Sequence, residues 1–212
     1  MDPITIALLG ITAVTAIAVE GYRRVKQKND ELIGVIDTLI KANKPYIELY
    51  SLDPCDELII EKVKDYLSMR FGNNYEAVFN NYQTLEEKKY FFQKIANELA
   101  AEMQIELECL TITAMDSNTY GETSPDGKNV TINEVLLIEN PKQALRTLCH
   151  EFRHCMQLQA IIDNKWGFPP SRIAAWIKGL EEYGNTMSYY ETYRLNIVEN
   201  DANMFAYEII ND

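Results

Sequence analysis

The sequence predicts an α+β fold: a small sheet packed among helices, preceded by an N-terminal apolar helix. Three observations point there. Residues 57–104 carry apolar side chains at helical spacing, residues 105–137 switch to β-branched runs broken by turn residues, and helical spacing returns from Pro141 onward. At 47% apolar and 25% charged, the 212 residues supply one core of ordinary size. With 20 basic against 32 acidic side chains and a net charge of −12, the surface is unsuited to tracking phosphates, so no nucleic-acid partner is expected.

The N-terminus comes first. No residue from Pro3 to Val19 is charged. As a helix this run would span roughly 25 Å, just short of a ~30 Å hydrocarbon core. Asp2 precedes it, and Arg23, Arg24, Lys26 and Lys28 follow it. By the positive-inside rule that puts the N-terminus outside and the remainder in the cytoplasm. Residues 1–21 therefore read as an apolar helix forming a short membrane anchor, with membrane association through residues 3–19. A buried or oligomerising helix is the alternative. Thr5, Thr12 and Thr15 weaken the apolarity, and Gly10, Ala13 and Ala16 offer a small packing edge. Residues 22–45 read as a helical stalk, with Leu32, Val35, Ile36, Leu39 and Ile40 on one stripe and Pro45 as its stop. Residues 46–212 form the main domain. The expected location is membrane-associated with that domain cytoplasmic; a virion component or a soluble cytoplasmic protein is the alternative.

Within the domain, Glu57 to Arg70 reads as a helix with Leu58, Ile59, Val63, Tyr66 and Leu67 on one side. Phe71-Gly72-Asn73-Asn74 stops it. Tyr75 to Tyr82 is a short helix and Leu85 to Gln104 a long one. Ile105 to Met115, Tyr120 to Glu122 and Asn129 to Leu137 read as strands, with Pro125-Asp126-Gly127-Lys128 as a turn. Asn140-Pro141 supplies an N-cap and a first helical residue for a helix to Gln159. Two more helices follow, Ser171 to Tyr183 and Ile197 to Ile210. Cys149 and Cys155 lie six positions apart on one helix. That is a rise of roughly 9 Å, too far for a disulfide. Both read as small buried hydrophobes.

The chain has only two histidines, and they fall in His150-Glu151-Phe152-Arg153-His154. Positions i and i+4 share a helix face, so both imidazoles can reach one metal ion, with Glu151 beside it as a general base. Leu145, Leu148, Phe152 and Cys155 form the opposite, core-facing stripe. Neutral imidazoles suit Zn2+. No histidine remains for a third ligand, so a carboxylate must serve. Glu199 is the best candidate and Asp201 the alternative; Asn203, four residues after Glu199, could hydrogen-bond a ligand imidazole. Arg153 should pair with an acid on its own helix surface or on the Glu199 helix. An oxyanion donor must also come from another residue type, and of Tyr189, Tyr190 and Tyr193 the last is chosen as the second catalytic residue.

His150-Glu151-x-x-His154 followed by Glu199-x-x-Ala202-Asn203-x-Phe205-Ala206 resembles the gluzincin zinc metallopeptidases. It is closest to the ImmA/IrrE-like group and related phage and bacterial H-E-x-R-H proteins. The resemblance covers roughly residues 85–210 and implies a minimal zincin-like fold: a backing helix, a small mixed sheet, an active-site helix and a ligand helix. It implies a zinc peptidase acting on a protein or peptide substrate, with Asn129 to Asn133 holding that substrate by edge pairing. One departure is the 199 − 154 = 45-residue spacing, which a helix inserted at Ser171 to Tyr183 would explain. A non-catalytic structural or regulatory protein of a phage particle or membrane assembly, keeping the same fold, is the competing expectation.

Overall fold

The structure, a computed structural model, describes residues 52–72, 74–186 and 196–210. The N-terminal helix of residues 1–21, the stalk of 22–45 and all three tyrosines from 189 to 193 lie outside the described residues. Among the described residues, no helix is long and apolar enough to cross a membrane.

The described chain is α+β, with seven helices and one three-stranded mixed sheet. Helix α1 (Pro54–Phe71) begins with proline at its first position, and the Asp53 backbone N–H donates to the Asp56 carboxylate at 3.0 Å. It ends at Gly72, whose φ of +58° is open to glycine at little cost. Its buried face is Asp56, Ile60, Val63, Leu67 and Phe71. Leu58, expected inside, is 62% exposed. The helix is rotated so that Asp56 points inward, where Arg153 and Arg172 meet it.

Helix α2 (Tyr75–Phe79) is capped by Asn74, and α3 (Leu85–Glu102) by a Thr84–Glu87 capping box. Phe71, Phe79, Phe91 and Phe92 stack or meet edge-on between these three helices, with centroids 5.2 to 6.3 Å apart. Phe79 and Phe92 are fully buried, so truncating either to alanine should cost about 3–5 kcal/mol.

The strands are β1 (Cys109–Thr113), β2 (Gly121–Thr123) and β3 (Asn129–Asn133), in spatial order β1-β3-β2. β3 runs parallel to β1 and antiparallel to β2. This corrects one expectation: Asn129 to Asn133 is the central strand, its backbone paired on both sides, and offers no edge to a substrate. Among the described residues, the edges of the sheet are β1 and β2. The third strand also ends sooner than expected. Asn133 accepts the Val135 N–H through its side chain at 3.2 Å, and the chain turns into a short helix α4 (Val135–Glu139).

Helix α5 (Pro141–Ile162) is the centre of the fold. Asn140 caps it, accepting the Gln143 N–H at 3.0 Å. Leu145, Leu148, Cys149, Phe152, Cys155 and Met156 are all fully buried. All four cysteines are free thiols, and burial pushes the Cys149 thiol up to about 12. Gln159 ties α5 to the sheet by donating to the Gly127 carbonyl at 2.8 Å and pairing with the Glu106 backbone. Helices α6 (Pro170–Thr186) and α7 (Ile197–Ile209) complete the layer. They approach closely at Gly179, where an added Cβ would lie 2.6 Å from Ile197. Asn196 caps α7 and donates to the Gly179 carbonyl at 2.8 Å, which fixes where α7 begins.

Candidate metal centre

Three side chains converge where α5 faces α7. The Nε2 atoms of His150 and His154 are 3.0 Å apart, and Glu199 reaches both, at 3.4 Å and 3.5 Å. Ligand atoms ~2.0–2.1 Å from a tetrahedral zinc ion lie roughly 3.3–3.4 Å from one another. The two Glu199 distances run to different oxygens, Oε2 toward His150 and Oε1 toward His154, and one ligand atom from each of the three residues lies within 4.8 Å of the others. The helix spacing does the local work: i and i+4 align the two imidazoles, and the Asn196 cap places Glu199 in the first turn of α7, opposite them.

The donor set also has the character of a metal site. Glu199 is 3% exposed, and its buried Oε2 makes no well-formed hydrogen bond, its neighbour being His150 Nε2 at 3.4 Å. A buried carboxylate oxygen without a donor is costly unless a cation meets it. Burial alone would raise the Glu199 pKa, but the neighbouring His154 and His150 imidazoles hold it well below the carboxylate range. Burial would lower the His154 pKa, but the Glu199 carboxylate, the Glu151 charge and Gln157 push it up to about 9.

Glu151 lies on the same helix, 5% exposed. The Thr123 hydroxyl of β2 is 2.8 Å from its Oε2. The strand comes this close because residue 121 is glycine: a Cβ there would lie 2.8 Å from Thr147 Cγ2 and 2.9 Å from Glu151 Cγ. β2 therefore lies along the Glu151 side of α5, with its outer edge unpaired among the described residues.

No protein-family model matches the chain, and neither the curated proteins nor the solved structures gave a match.

The sequence-predicted residues separate clearly. His150, His154 and Glu199 are brought together as the one group of three or more His, Cys, Asp or Glu ligand atoms suited to a metal among the described residues. Asp201 is turned elsewhere. Its carboxylate takes Arg153 Nε at 2.7 Å and Nη2 at 3.1 Å, and Arg172 as well. Arg153, fully buried, also donates to Asp56 at 2.7 Å and lies over the rings of Phe168, Trp176 and Phe205. Arg153 thus pairs with the Glu199 helix, as expected, and with α1 besides. Asn203 is exposed. The hydrogen bond to a ligand imidazole comes instead from Gln157, 2.9 Å from His154 Nδ1. Sequence reasoning missed Gln157, Thr123, Asp56 and Arg172. For Gln157 a signal existed: it sits three residues past His154 in a stretch otherwise destined for the core.

Proposed function

We propose that the chain is a zinc-dependent peptidase of the gluzincin kind, built on a minimal zincin-like fold. The observation that carries this is the convergence of two imidazole Nε2 atoms and a buried Glu199 carboxylate, with Glu151 on the same helix. His150, His154 and Glu199 would hold the ion. When bound, zinc would supply Lewis acidity and a water whose pKa falls toward ~7.

The chain's own residues supply the rest. Glu151 is the general base: the Thr123 hydroxyl fixes one carboxylate oxygen, and the other is left to take a proton and return it to the leaving amine. An extended peptide would add to the free edge of β2, whose backbone passes beside Glu151 at Gly121. Tyr193 stays the proposed oxyanion donor on sequence grounds alone, as does membrane attachment through residues 3–19 with the domain on the cytoplasmic side.

The test is metal analysis of purified protein paired with a peptide-library cleavage assay. Wild type should carry one zinc and cleave. Glu151→Gln should keep the zinc and lose about 10²–10⁴-fold in cleavage rate, the usual contribution of a general base. Zinc without cleavage of any peptide would favour the structural or regulatory reading; undiminished cleavage by Glu151→Gln would remove that residue from the mechanism.

A further inference from the structure

We infer that Gln157 is a positioning residue: backed by Asp201, it locks the His154 imidazole with a proton on Nδ1 and Nε2 turned toward His150 and Glu199. This rests on the metal site proposed above and assigns that site a support outside its ligands.

The argument is one of donors and acceptors. Gln157 is fully buried. Its Nε2 lies 2.6 Å from Asp201 Oδ2 and 3.0 Å from the Val198 carbonyl, and its Oε1 lies 2.9 Å from His154 Nδ1. A backbone carbonyl only accepts. Asp201 takes Arg153 Nε and Nη2 and Arg172 Nη2 on its two oxygens, so it too accepts. Both amide protons of Gln157 are therefore directed at α7. A flipped amide would set its oxygen 2.6 Å from a carboxylate oxygen, which excludes the flip. The Gln157 oxygen is left facing His154 and can only accept, so Nδ1 must carry a proton. In a neutral imidazole the lone pair then falls on Nε2, the atom 3.0 Å from His150 and 3.5 Å from Glu199.

The support reaches further. Arg153 and Arg172 each bridge Asp201 on α7 to Asp56 on α1, and Arg172 also meets Asp53. The imidazole orientation is thus built on a chain of polar contacts running through α5 and α7 to the start of α1. Groups that orient a ligand histidine usually contribute 10–100-fold in metal affinity.

The experiment measures zinc affinity by chelator competition for the full chain as wild type, Gln157→Met and His154→Ala. A second measurement uses zinc-loaded, ¹⁵N-histidine-labelled wild type to locate the His154 proton. We expect wild type to bind zinc, His154→Ala to lose it, and Gln157→Met, which keeps the side-chain volume, to bind 10–100-fold more weakly. Loaded wild type should show a slowly exchanging Nδ1–H on His154, and Gln157→Met should lose its protection. A merely structural Gln157 would leave that signal unchanged while lowering the melting temperature of the metal-free protein. Zinc bound equally by wild type and Gln157→Met, or a proton on Nε2 in loaded wild type, overturns the inference and leaves the metal site standing. No zinc in wild type overturns the site itself. Should Gln157→Met fail to fold, the wild-type proton position decides alone.

Discussion

Two buried charged clusters sit side by side between α5 and α7, and they are built to opposite ends. The first joins Arg153 and Arg172 to Asp53, Asp56 and Asp201. Every carboxylate oxygen of Asp56 and Asp201 has a donor and Arg153 is fully buried, with Arg172 Nε the one buried atom of the cluster that makes no hydrogen bond. The second joins His150, His154 and Glu199. Its imidazoles keep side-chain exposures of 17% and 12%, and one Glu199 oxygen has no donor. The two clusters share a helix pair and even a short stretch of sequence, since Glu199 and Asp201 are two positions apart. The closed cluster spends its polarity on holding helices together. The open one keeps acceptors free for something that arrives from outside.

The sharpest way to break the comparison is to open the closed cluster. Arg153→Ala leaves two buried carboxylates short of their partner and should cost about 3–5 kcal/mol, read as a lower denaturant midpoint. Glu199→Gln, the matching change in the open cluster, should cost the metal-free protein only about 1 kcal/mol, through the lost His154 pair, while removing zinc-dependent stabilisation. Equal losses from both would dissolve the distinction.

Gly121→Ala tests the approach of β2 to the open cluster. The added methyl would collide with Thr147 and Glu151, so the strand must lift off α5. We expect a loss of about 1–3 kcal/mol by thermal melting, with slower cleavage because Thr123 no longer holds Glu151.

The smallest effect is in pH. His154 has its pKa raised from 6.5 to about 9 in the folded, metal-free protein. Its contribution to stability is complete below its unfolded value and is lost as pH rises through about 9. The Glu199 pKa is lowered, so the stability it contributes disappears only on acidification. Metal-free wild type should therefore lose about 1 kcal/mol between pH 6.5 and 9, a pair at the rim of the core being partly screened. A melting series across that range checks it, and Glu199→Gln should flatten the dependence.

The open cluster was largely legible in the sequence, and the closed one only where Arg153 meets the Glu199 helix at Asp201. Two histidines four apart on a capped helix announce a shared face through local geometry alone. Glu199 followed from its motif-like surroundings. Arg153 and Asp56, by contrast, are 97 positions apart, and nothing in their local spacing says that they meet. Asp56 faces inward to that contact, on a face of α1 that leaves Leu58, expected inside, on the outside. The strands teach the same lesson. Their positions followed from composition, but the order β1-β3-β2 depends on which strand the chain crosses to, and no run of side chains records that. Gln157 lay between the two cases: close to His154 in sequence, but meaningful only once Asp201 was known to stand behind it.

Zinc stoichiometry and X-ray absorption at the zinc edge, for wild type and Glu199→Gln, test the central claim most directly. The account predicts one zinc per chain in wild type, with two imidazole nitrogens and a carboxylate oxygen among its ligands, and a large loss of bound metal in Glu199→Gln. A wild-type protein that takes up no zinc, or a variant that binds it with the same ligands as wild type, would contradict it.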